Sequence, residues 1–161
     1  MDTSTITPEL ALRVETLQAQ YADCIDEQRY NEWPSFFTEK CLYKIITRDN
    51  YRRNLPMGLI YCDNRNMLRD RITSMKSANV FEPHVYRHAL SRTLLSAAHD
   101  GTIAARTSYI VARIMHDGQT DLFSTGCYED RIVESEGRLL FRERVVITDS
   151  TSTDALLVIP L

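Results

Sequence analysis

The stretch from Tyr86 to Thr148 decides the fold. It contains four long runs that we predict to be β-strands: YRHALSRTLLSA (Tyr86–Ala97), TIAARTSYIVARIMH (Thr102–His116), QTDLFSTGCYEDRIVES (Gln119–Ser135) and RLLFRERVVIT (Arg138–Thr148). The runs are rich in Thr, Tyr, Val, Ile and Phe, which suit a pleated surface. Short connections that contain glycine separate them, as in antiparallel hairpins. Because these strands exceed the usual length of about five or six residues, we expect one strongly curved antiparallel sheet whose concave side must be filled.

The residues before this stretch predict the helices that fill the concave side. Thr7 and Pro8 suit an N-cap and a first helical residue, and apolar side chains then recur at helical spacing to about Arg29. This apolar stripe consists of Leu10, Val14, Leu17, Tyr21, Cys24 and Ile25. A second, short helix is predicted over Tyr30–Phe37, and we expect its aromatic side chains to enter the core.

Two short strands and a third helix are predicted between these helices and the sheet. Cys41–Thr47 alternates as a strand, Arg48–Pro56 is polar and typical of a loop, and Met57–Tyr61 is an apolar run typical of an edge strand. Asp63 or Asn64 can cap the following helix. The resulting order predicts an α+β fold with helices on one face of the sheet, and we expect residues 1–161 to form a single domain.

Composition excludes several classes of partner. The chain has 19 basic and 22 acidic residues and a net charge of −3, with neither sign gathered into a block, so we expect no nucleic acid and no membrane surface as a partner. The N-terminus lacks the features of a signal peptide, and the four cysteines form no Cys-x-x-Cys motif, which is typical of reduced thiols. We therefore expect a cytoplasmic protein.

The basic residues are mostly arginine, since only Lys40, Lys44 and Lys76 are lysines. Arginine is favoured at protein interfaces because its planar fork is weakly hydrated and pairs well with carboxylates. The excess is consistent with subunit assembly, and equally with a GC-rich genome.

His84 and His88 are the main candidates for chemistry. In a strand, residues four apart point the same way, so the two imidazoles would share one face, with Arg87 on the other. On the concave face, near Asp26 and Tyr21 of the first helix, they could form an acid–base set. The alternative is that both histidines form hydrogen bonds in the core or at a subunit contact.

The sequence offers no motif for a metal, a nucleophile or a phosphate. No carboxylate lies at a spacing that marks it as a third iron ligand beside two histidines, and the isolated cysteines do not form the Cys and His pairs of a Rieske centre. Gly-x-Ser-x-Gly, Walker and Gly-x-Gly-x-x-Gly motifs are absent. We expect no cofactor in this chain.

Charged residues of both signs recur along the last strands. Strict alternation over Arg138–Thr148 places Leu139 and Phe141 on one face and Arg142 and Arg144 on the other. Such a charged face is either solvated or part of an interface, because exposed ion pairs stabilise little on their own. The charged set on the predicted sheet face is Arg106, Arg113, Arg131, Arg142, Arg144, Glu129, Asp130 and Glu143.

Motifs in a fixed order extend along essentially the whole chain. They are Tyr21-Ala-Asp-x-x-Asp26, Glu32-Trp33-Pro34-x-Phe-Phe-Thr38-Glu39, Tyr43, Met67-Leu-x-Asp-Arg71-Ile72, His84-x-Tyr-Arg87-His88, Gly126-x-Tyr128-x-Asp130-Arg131, Arg142-x-Arg144-Val-Val-x-x-Asp149-Ser150 and Pro160-Leu161. Together they resemble the small (β) subunit of Rieske non-haem-iron aromatic-ring-hydroxylating dioxygenases. Asp49-Asn50, Leu55-Pro56-x-Gly58 and Cys62-Asp63 look most like small subunits of systems for aromatic carboxylates, namely terephthalate, salicylate and anthranilate.

The resemblance implies a cystatin-like, NTF2-like α+β cone and a structural role in a larger complex. In this family the large (α) subunit carries the Rieske [2Fe-2S] cluster, the mononuclear Fe(II) and the substrate pocket, commonly as three large plus three small chains. Electrons from NADH arrive through a reductase and sometimes a ferredoxin, and dioxygen oxidises the ring. Arg87, His88, Arg131, Arg142 and Arg144 are the interface candidates of this chain.

Two other functions remain open from the sequence. One is a stand-alone, cofactor-free dehydratase or isomerase that uses His84 or His88 with Asp26 and Tyr21, since related folds perform such chemistry. The other is a plain ligand-binding module. An open pocket where His and Asp converge would favour the enzyme, whereas a blocked cone would favour the subunit.

Overall fold

The computed structural model describes residues 6–77, 81–98, 100–151 and 157–161. Within these residues, three α-helices and one 3-10 helix lie against a single curved sheet. The helices are α1 (Pro8–Asp26), the 3-10 helix (Trp33–Phe36), α2 (Arg48–Arg52) and α3 (Arg65–Ser77). The strands are β1 (Phe37–Thr47), β2 (Ile60–Cys62), β3 (His84–Leu90), β4 (Leu94–Ala97), β5 (Ile103–Met115), β6 (Thr120–Ser135) and β7 (Arg138–Thr148). The predicted α+β cone is confirmed.

The strands follow the order β2-β1-β7-β6-β5-β3, with β4 paired to the remaining half of β5. The hairpins β5–β6 and β6–β7 are antiparallel, as the sequence predicts. The sheet is nevertheless mixed, because β1 runs parallel to β7, from Leu42 opposite Glu143 to Thr47 opposite Thr148. The first long strand of the chain is thus hydrogen-bonded to the last one.

The structure divides the predicted strand Tyr86–Ala97 in two. Between β3 and β4, three residues face only two residues of β5, since Leu90 pairs with Tyr109 and Leu94 with Arg106. The Ser91 hydroxyl accepts a hydrogen bond from the Ser108 amide (2.9 Å). Because the serine hydroxyl takes the place of a backbone acceptor, the hydrogen-bond ladder between the strands is interrupted there. The pattern of apolar residues in the sequence does not reveal this break.

The predicted loop Arg48–Pro56 begins with the short helix α2. The Thr47 hydroxyl accepts a hydrogen bond from the Asn50 amide (3.3 Å), so the last residue of β1 is also the N-cap of the helix. This helix covers a small apolar cluster on the outer, convex face of the sheet, formed by Ile46, Cys127 and Ile147. The polar sequence of Arg48–Pro56 gives no sign that α2 lies over apolar side chains.

Smaller differences between prediction and structure concern the residues at which helices and strands begin and end. Helix α1 ends at Asp26 rather than near Arg29, because Gln28 adopts a left-handed φ of 58° that stops the helix. The predicted helix Tyr30–Phe37 is a 3-10 turn over Trp33–Phe36, and the predicted edge strand Met57–Tyr61 is β2 at Ile60–Cys62.

Two bulges change which side chains face the inside of the cone. In β6, Phe123 is skipped in the register with β5, and in β7, Arg142 is skipped in the register with β6. The register is continuous at Gly126, which pairs with Tyr109 of β5 and Thr148 of β7. The bulge at Arg142 changes the alternation of β7, so both Phe141 and Arg144 are buried inside the cone. Arg144 therefore does not lie on the outer charged face that strict alternation predicts.

Candidate functional site

The end of α1 and strand β3 bring together a buried Asp–His pair. The Asp26 carboxylate lies 2.6 Å from His88 Nδ1 and accepts a hydrogen bond from the His88 amide (2.9 Å). The Asp26 side chain is 4% exposed and the His88 side chain is 0% exposed. A carboxylate at Nδ1 favours the tautomer that carries its proton there. His88 Nε2 is buried and has no hydrogen-bond partner among the described residues.

The other two residues of the hypothetical acid–base set lie elsewhere. The Tyr21 hydroxyl donates to the Leu161 oxygen (2.8 Å) and accepts from Trp33 Nε1 (3.0 Å). Burial raises the pKa of Tyr21, so its hydroxyl stays protonated. His84 Nδ1 lies 2.8 Å from the Glu82 carbonyl oxygen. The structure thus joins Asp26 to His88 but places neither Tyr21 nor His84 in a common site with them.

A second polar cluster lies deeper in the cone. Arg144 donates from Nε and Nη2 to the Asp130 carboxylate, and Gln18 Nε2 donates to Asp130 Oδ2 (2.7 Å). The guanidinium carbon lies about 4 Å from three aromatic ring centres: 4.1 Å from Tyr21, 4.1 Å from Tyr128 and 3.9 Å from Phe141. Burial acts to lower the pKa of Arg144, but the Asp130 carboxylate raises it, and the net pKa lies above its ordinary value.

Sequence reasoning missed Gln18 and misplaced Asp130 and Arg144. Gln18 follows Leu17 on the buried face of α1, where a glutamine signals an internal polar partner. That signal was available in the sequence. No signal in the sequence indicates the position of Arg144, because that position depends on the bulge at Arg142, two residues earlier in the strand.

Aromatic side chains fill the rest of the concave side. Trp33 packs edge-on against Phe37 (5.7 Å between ring centres) and Tyr43 (5.0 Å). The Tyr43 hydroxyl and the Leu161 backbone exchange hydrogen bonds at 3.0 Å, and the Leu161 side chain is buried among these rings. Burial raises the pKa of Tyr43 well above its ordinary value. Four surface grooves of about 340 to 530 Å³ open elsewhere on the described residues, and none is lined by Tyr21, Asp26, His84 or His88.

The predicted interface residues separate into accessible and buried ones. Arg87 is 63% exposed and lies 3.7 Å from Glu27, and Arg142 is 39% exposed and pairs with Asp100 at 2.5 Å. Arg131 is half-buried on the outer face. The side chains of His88 and Arg144 are both 0% exposed and so cannot contact a partner directly. These two residues belong to the interior of the cone instead.

Comparison with known proteins identifies the family. The profile of the ring hydroxylating beta subunit family matches residues 20–154. The chain belongs to this family.

Two relatives are similar in sequence to this ring-hydroxylating beta subunit over nearly their whole lengths. One is subunit beta 1 of the terminal oxygenase component of terephthalate 1,2-dioxygenase from Comamonas sp., which is 36% identical over 93% of this chain and 97% of that protein. The other is the small subunit of anthranilate 1,2-dioxygenase from Burkholderia cepacia, which is 35% identical over 90% of both chains.

A solved structure shows the same fold. A Novosphingobium aromaticivorans protein assigned as the beta subunit of an aromatic-ring-hydroxylating dioxygenase aligns with a TM-score of 0.85 and 32% identity, covering 94% of this chain and 96% of that one. The family resemblance carried by the ordered motifs is therefore confirmed.

The described donor residues of this beta subunit are not arranged as an iron centre. Among the residues that the structure describes, no group of three or more His, Cys, Asp or Glu side chains is placed to hold a metal ion. All four cysteines are buried free thiols, and burial raises the pKa of Cys24 and Cys41 to about 11. A Rieske cluster needs thiolate ligands beside histidines, which these separated thiols do not provide. Within the described part of the chain, no helix has the length and apolar character to cross a membrane.

An apolar surface lies at one edge of the beta subunit. Strand β2 is the end strand of the sheet, and exposed apolar side chains cluster on and around it. We call this surface the apolar edge; it consists of Leu55 (41% exposed), Met57 (76%), Leu59 (46%), Tyr61 (55%) and Met67 (37%). An edge strand bordered by exposed apolar residues is typical of a protein interface.

Proposed function

We propose that this chain is the non-catalytic small subunit of a multicomponent dioxygenase that oxidises an aromatic carboxylate. Similarity over nearly the whole length to small subunits of terephthalate and anthranilate dioxygenases carries the proposal. Salicylate is also an aromatic carboxylate, so salicylate dioxygenases remain within this proposal. In this proposal residues 1–161 act as one domain, and the complex works in the cytoplasm.

A large subunit would supply the reactive groups. It would hold a Rieske [2Fe-2S] cluster and mononuclear Fe(II), and it would receive NADH-derived electrons from a reductase, with or without a ferredoxin. Three large and three small chains are the proposed assembly. The filled cone supports this division of labour, because the aromatic packing of Trp33, Phe37 and Tyr43 takes up the space that a substrate would need.

The apolar edge is the surface that best fits the large subunit. Its rim carries Lys44, which pairs with Tyr61 in the register, and Asp70, which lines a groove with Leu59, Tyr61 and Met67; neither charge forms an ion pair with any described residue. A partner that covers this edge would therefore present apolar side chains bordered by charges of both signs. Arg87 and Arg142 are exposed and are further candidates for subunit contacts.

Co-purification tests the proposal. The chain is expressed with and without the large subunit of its own source organism, and iron is measured in each separated chain. We expect a complex in which iron follows the large subunit. Met57→Asp should weaken assembly, whereas the same change at Leu12, which is 66% exposed on α1, should not. Iron bound to the small chain, or failure of the two chains to associate, would contradict the proposal.

The stand-alone dehydratase or isomerase is the second candidate, and the Asp26–His88 pair is the observation in its favour. That pair resembles an acid–base couple, but the chemistry would require a substrate at His88 Nε2, which is fully enclosed. Turnover by the purified chain alone, lost in His88→Ala, would establish this function.

A further inference from the structure

A groove of about 470 Å³ lies between the 3-10 helix and α3. Pro34 of the 3-10 helix and Ile72 of α3 are buried and supply its apolar lining. We call it the helix groove; its lining residues include Asn31, Pro34, Arg69, Ile72, Thr73 and Lys76. A volume of about 300–1,000 Å³ is usual for sites that bind small molecules.

The lining of the helix groove carries two positive charges and no negative one. Arg69 and Lys76 are exposed, and neither forms an ion pair with a residue that the structure describes. Glu32, which follows Asn31 in the chain, pairs instead with Arg29 at 3.7 Å. Two cations that lack a carboxylate beside an apolar surface favour an anion as the occupant.

Neutral amide oxygens hold both cations in place. Asn66 Oδ1 accepts a hydrogen bond from Arg69 Nη1 (2.8 Å), and Asn31 Oδ1 accepts one from Lys76 Nζ (2.6 Å). An amide oxygen does not neutralise a positive charge, and each of these bonds uses only one N–H. Both cations therefore keep further donors for charge-assisted hydrogen bonds to an anion.

The spacing of the two cations indicates what kind of anion fits. Arg69 and Lys76 lie seven residues apart on α3, so they share one face of the helix and are separated by two turns, about 10 Å along its axis. The Thr73 hydroxyl between them donates to the Arg69 carbonyl oxygen (3.1 Å) and offers no hydrogen to a ligand. A ligand that contacts both cations must carry an anionic group at each end and an apolar middle.

We propose that the helix groove binds an aromatic dicarboxylate, with one carboxylate at Arg69 and the other at Lys76. A benzene ring between the two carboxylates packs on the apolar lining. The choice of an aromatic acid rests on the proposed function, whereas the need for two carboxylates rests on the groove alone. The small subunit then holds a molecule of the class that its complex oxidises.

Isothermal titration calorimetry of the purified chain with terephthalate tests the site. We expect one saturable site per chain. Arg69→Met and Lys76→Met should each raise the dissociation constant by at least about fivefold, whereas Lys76→Arg keeps the charge and should stay within about twofold of wild type. Arg52→Met is the matched control, because it removes an exposed arginine from α2, outside the groove, and should leave the dissociation constant unchanged.

Benzoate and inorganic phosphate are the comparison probes. Benzoate has a single carboxylate and phosphate has no ring, so each should bind at least about fivefold more weakly than terephthalate. Circular dichroism checks that the variants fold, which is expected because the replaced side chains are exposed. Phosphate binding as tightly as terephthalate would overturn the proposal, and so would a wild-type chain without saturable binding up to about 10 mM terephthalate.

This measurement uses the small subunit alone, so its outcome is separate from that of co-purification. A chain that assembles with an iron protein but binds no terephthalate would contradict the helix groove site only. A chain that binds terephthalate but joins no large subunit would contradict the proposed function only.

Discussion

The Arg144 guanidinium and the Asp130 carboxylate are joined by two hydrogen bonds inside the cone, Nε to Oδ1 at 2.9 Å and Nη2 to Oδ2 at 2.8 Å. Neither side chain has exposed area. Removing one charge of a buried pair leaves the other without compensation, which costs more than the pair itself contributes.

Arg144→Met should therefore lower the free energy of unfolding by roughly 3–5 kcal/mol, because Asp130 would stay buried with Gln18 as its remaining neutral partner. Urea titration followed by circular dichroism measures the change. Arg138→Met, an exposed arginine on the same strand, should change stability by less than about 0.5 kcal/mol. Equal effects of the two substitutions would show that Arg144 is hydrated.

Trp33→Ala should lower the free energy of unfolding by roughly 3–5 kcal/mol, since the fully buried indole contacts two rings and donates to the Tyr21 hydroxyl. Trp33→Phe keeps most of the volume and should cost about 1–2 kcal/mol. The chain has a single tryptophan, so circular dichroism replaces fluorescence as the probe. A loss below about 1 kcal/mol for Trp33→Ala would place the side chain at the surface.

His88→Ala should impair stability and assembly more than chemistry. The substitution removes the ring that pairs with Asp26, at a cost of about 1–3 kcal/mol. Turnover per assembled complex should stay within about twofold of wild type, a difference below 0.5 kcal/mol. His88→Asn, which can still donate to Asp26, should recover part of the stability. A large loss of turnover in a complex that assembles normally would assign His88 a part in the reaction.

Tyr51 of α2 gives a test at high pH. Its hydroxyl donates to Glu129, and this hydrogen bond, with partial burial, raises the pKa of Tyr51 to about 12. A pKa raised above the unfolded value of about 10 means that the stabilisation is complete below pH 10 and is lost as pH rises toward 12.

The difference in unfolding free energy between wild type and Tyr51→Phe should thus be roughly 0.5 kcal/mol at pH 9 and shrink toward zero near pH 12. The value is small because the side chain is partly exposed. Comparing the two proteins at each pH cancels the titration of other tyrosines. A difference that grows with pH would contradict the assigned hydrogen bond.

Much of the fold follows from the sequence because its signals are local. The glycine connections at Gly118 and Gly137 adopt positive φ angles of 88° and 75°, as tight hairpins require, and they define the long strands. The N-cap at Thr7 and the apolar stripe define α1. The break at Ser91 and the helix after Thr47 depend instead on side chains that replace backbone partners. Such choices are settled by tertiary contacts.

The candidate site was predictable only in part for the same reason. The acid–base hypothesis requires Asp26 and His88 to lie close together, and His88 Nδ1 is 2.6 Å from the Asp26 carboxylate. Tyr21 shares the apolar stripe of α1, but its hydroxyl points toward Trp33 and Leu161. No local pattern tells the direction of a tyrosine hydroxyl in a crowded core.

The skipped residue at Arg142 has a consequence for how this strand tolerates change. It lets one strand place Phe141 and Arg144 toward the helices and Glu143 and Val145 toward the outside, which strict alternation forbids. Deleting Arg142 would remove the bulge and leave a regular ladder, because Ile132–Phe141 and Arg131–Glu143 would become consecutive pairs, so Glu143 would still face outward and Arg144 inward. Loss of Arg142 should consequently disturb the cone far less than loss of Val145, which would exchange the inner and outer faces for the residues that follow it in the strand.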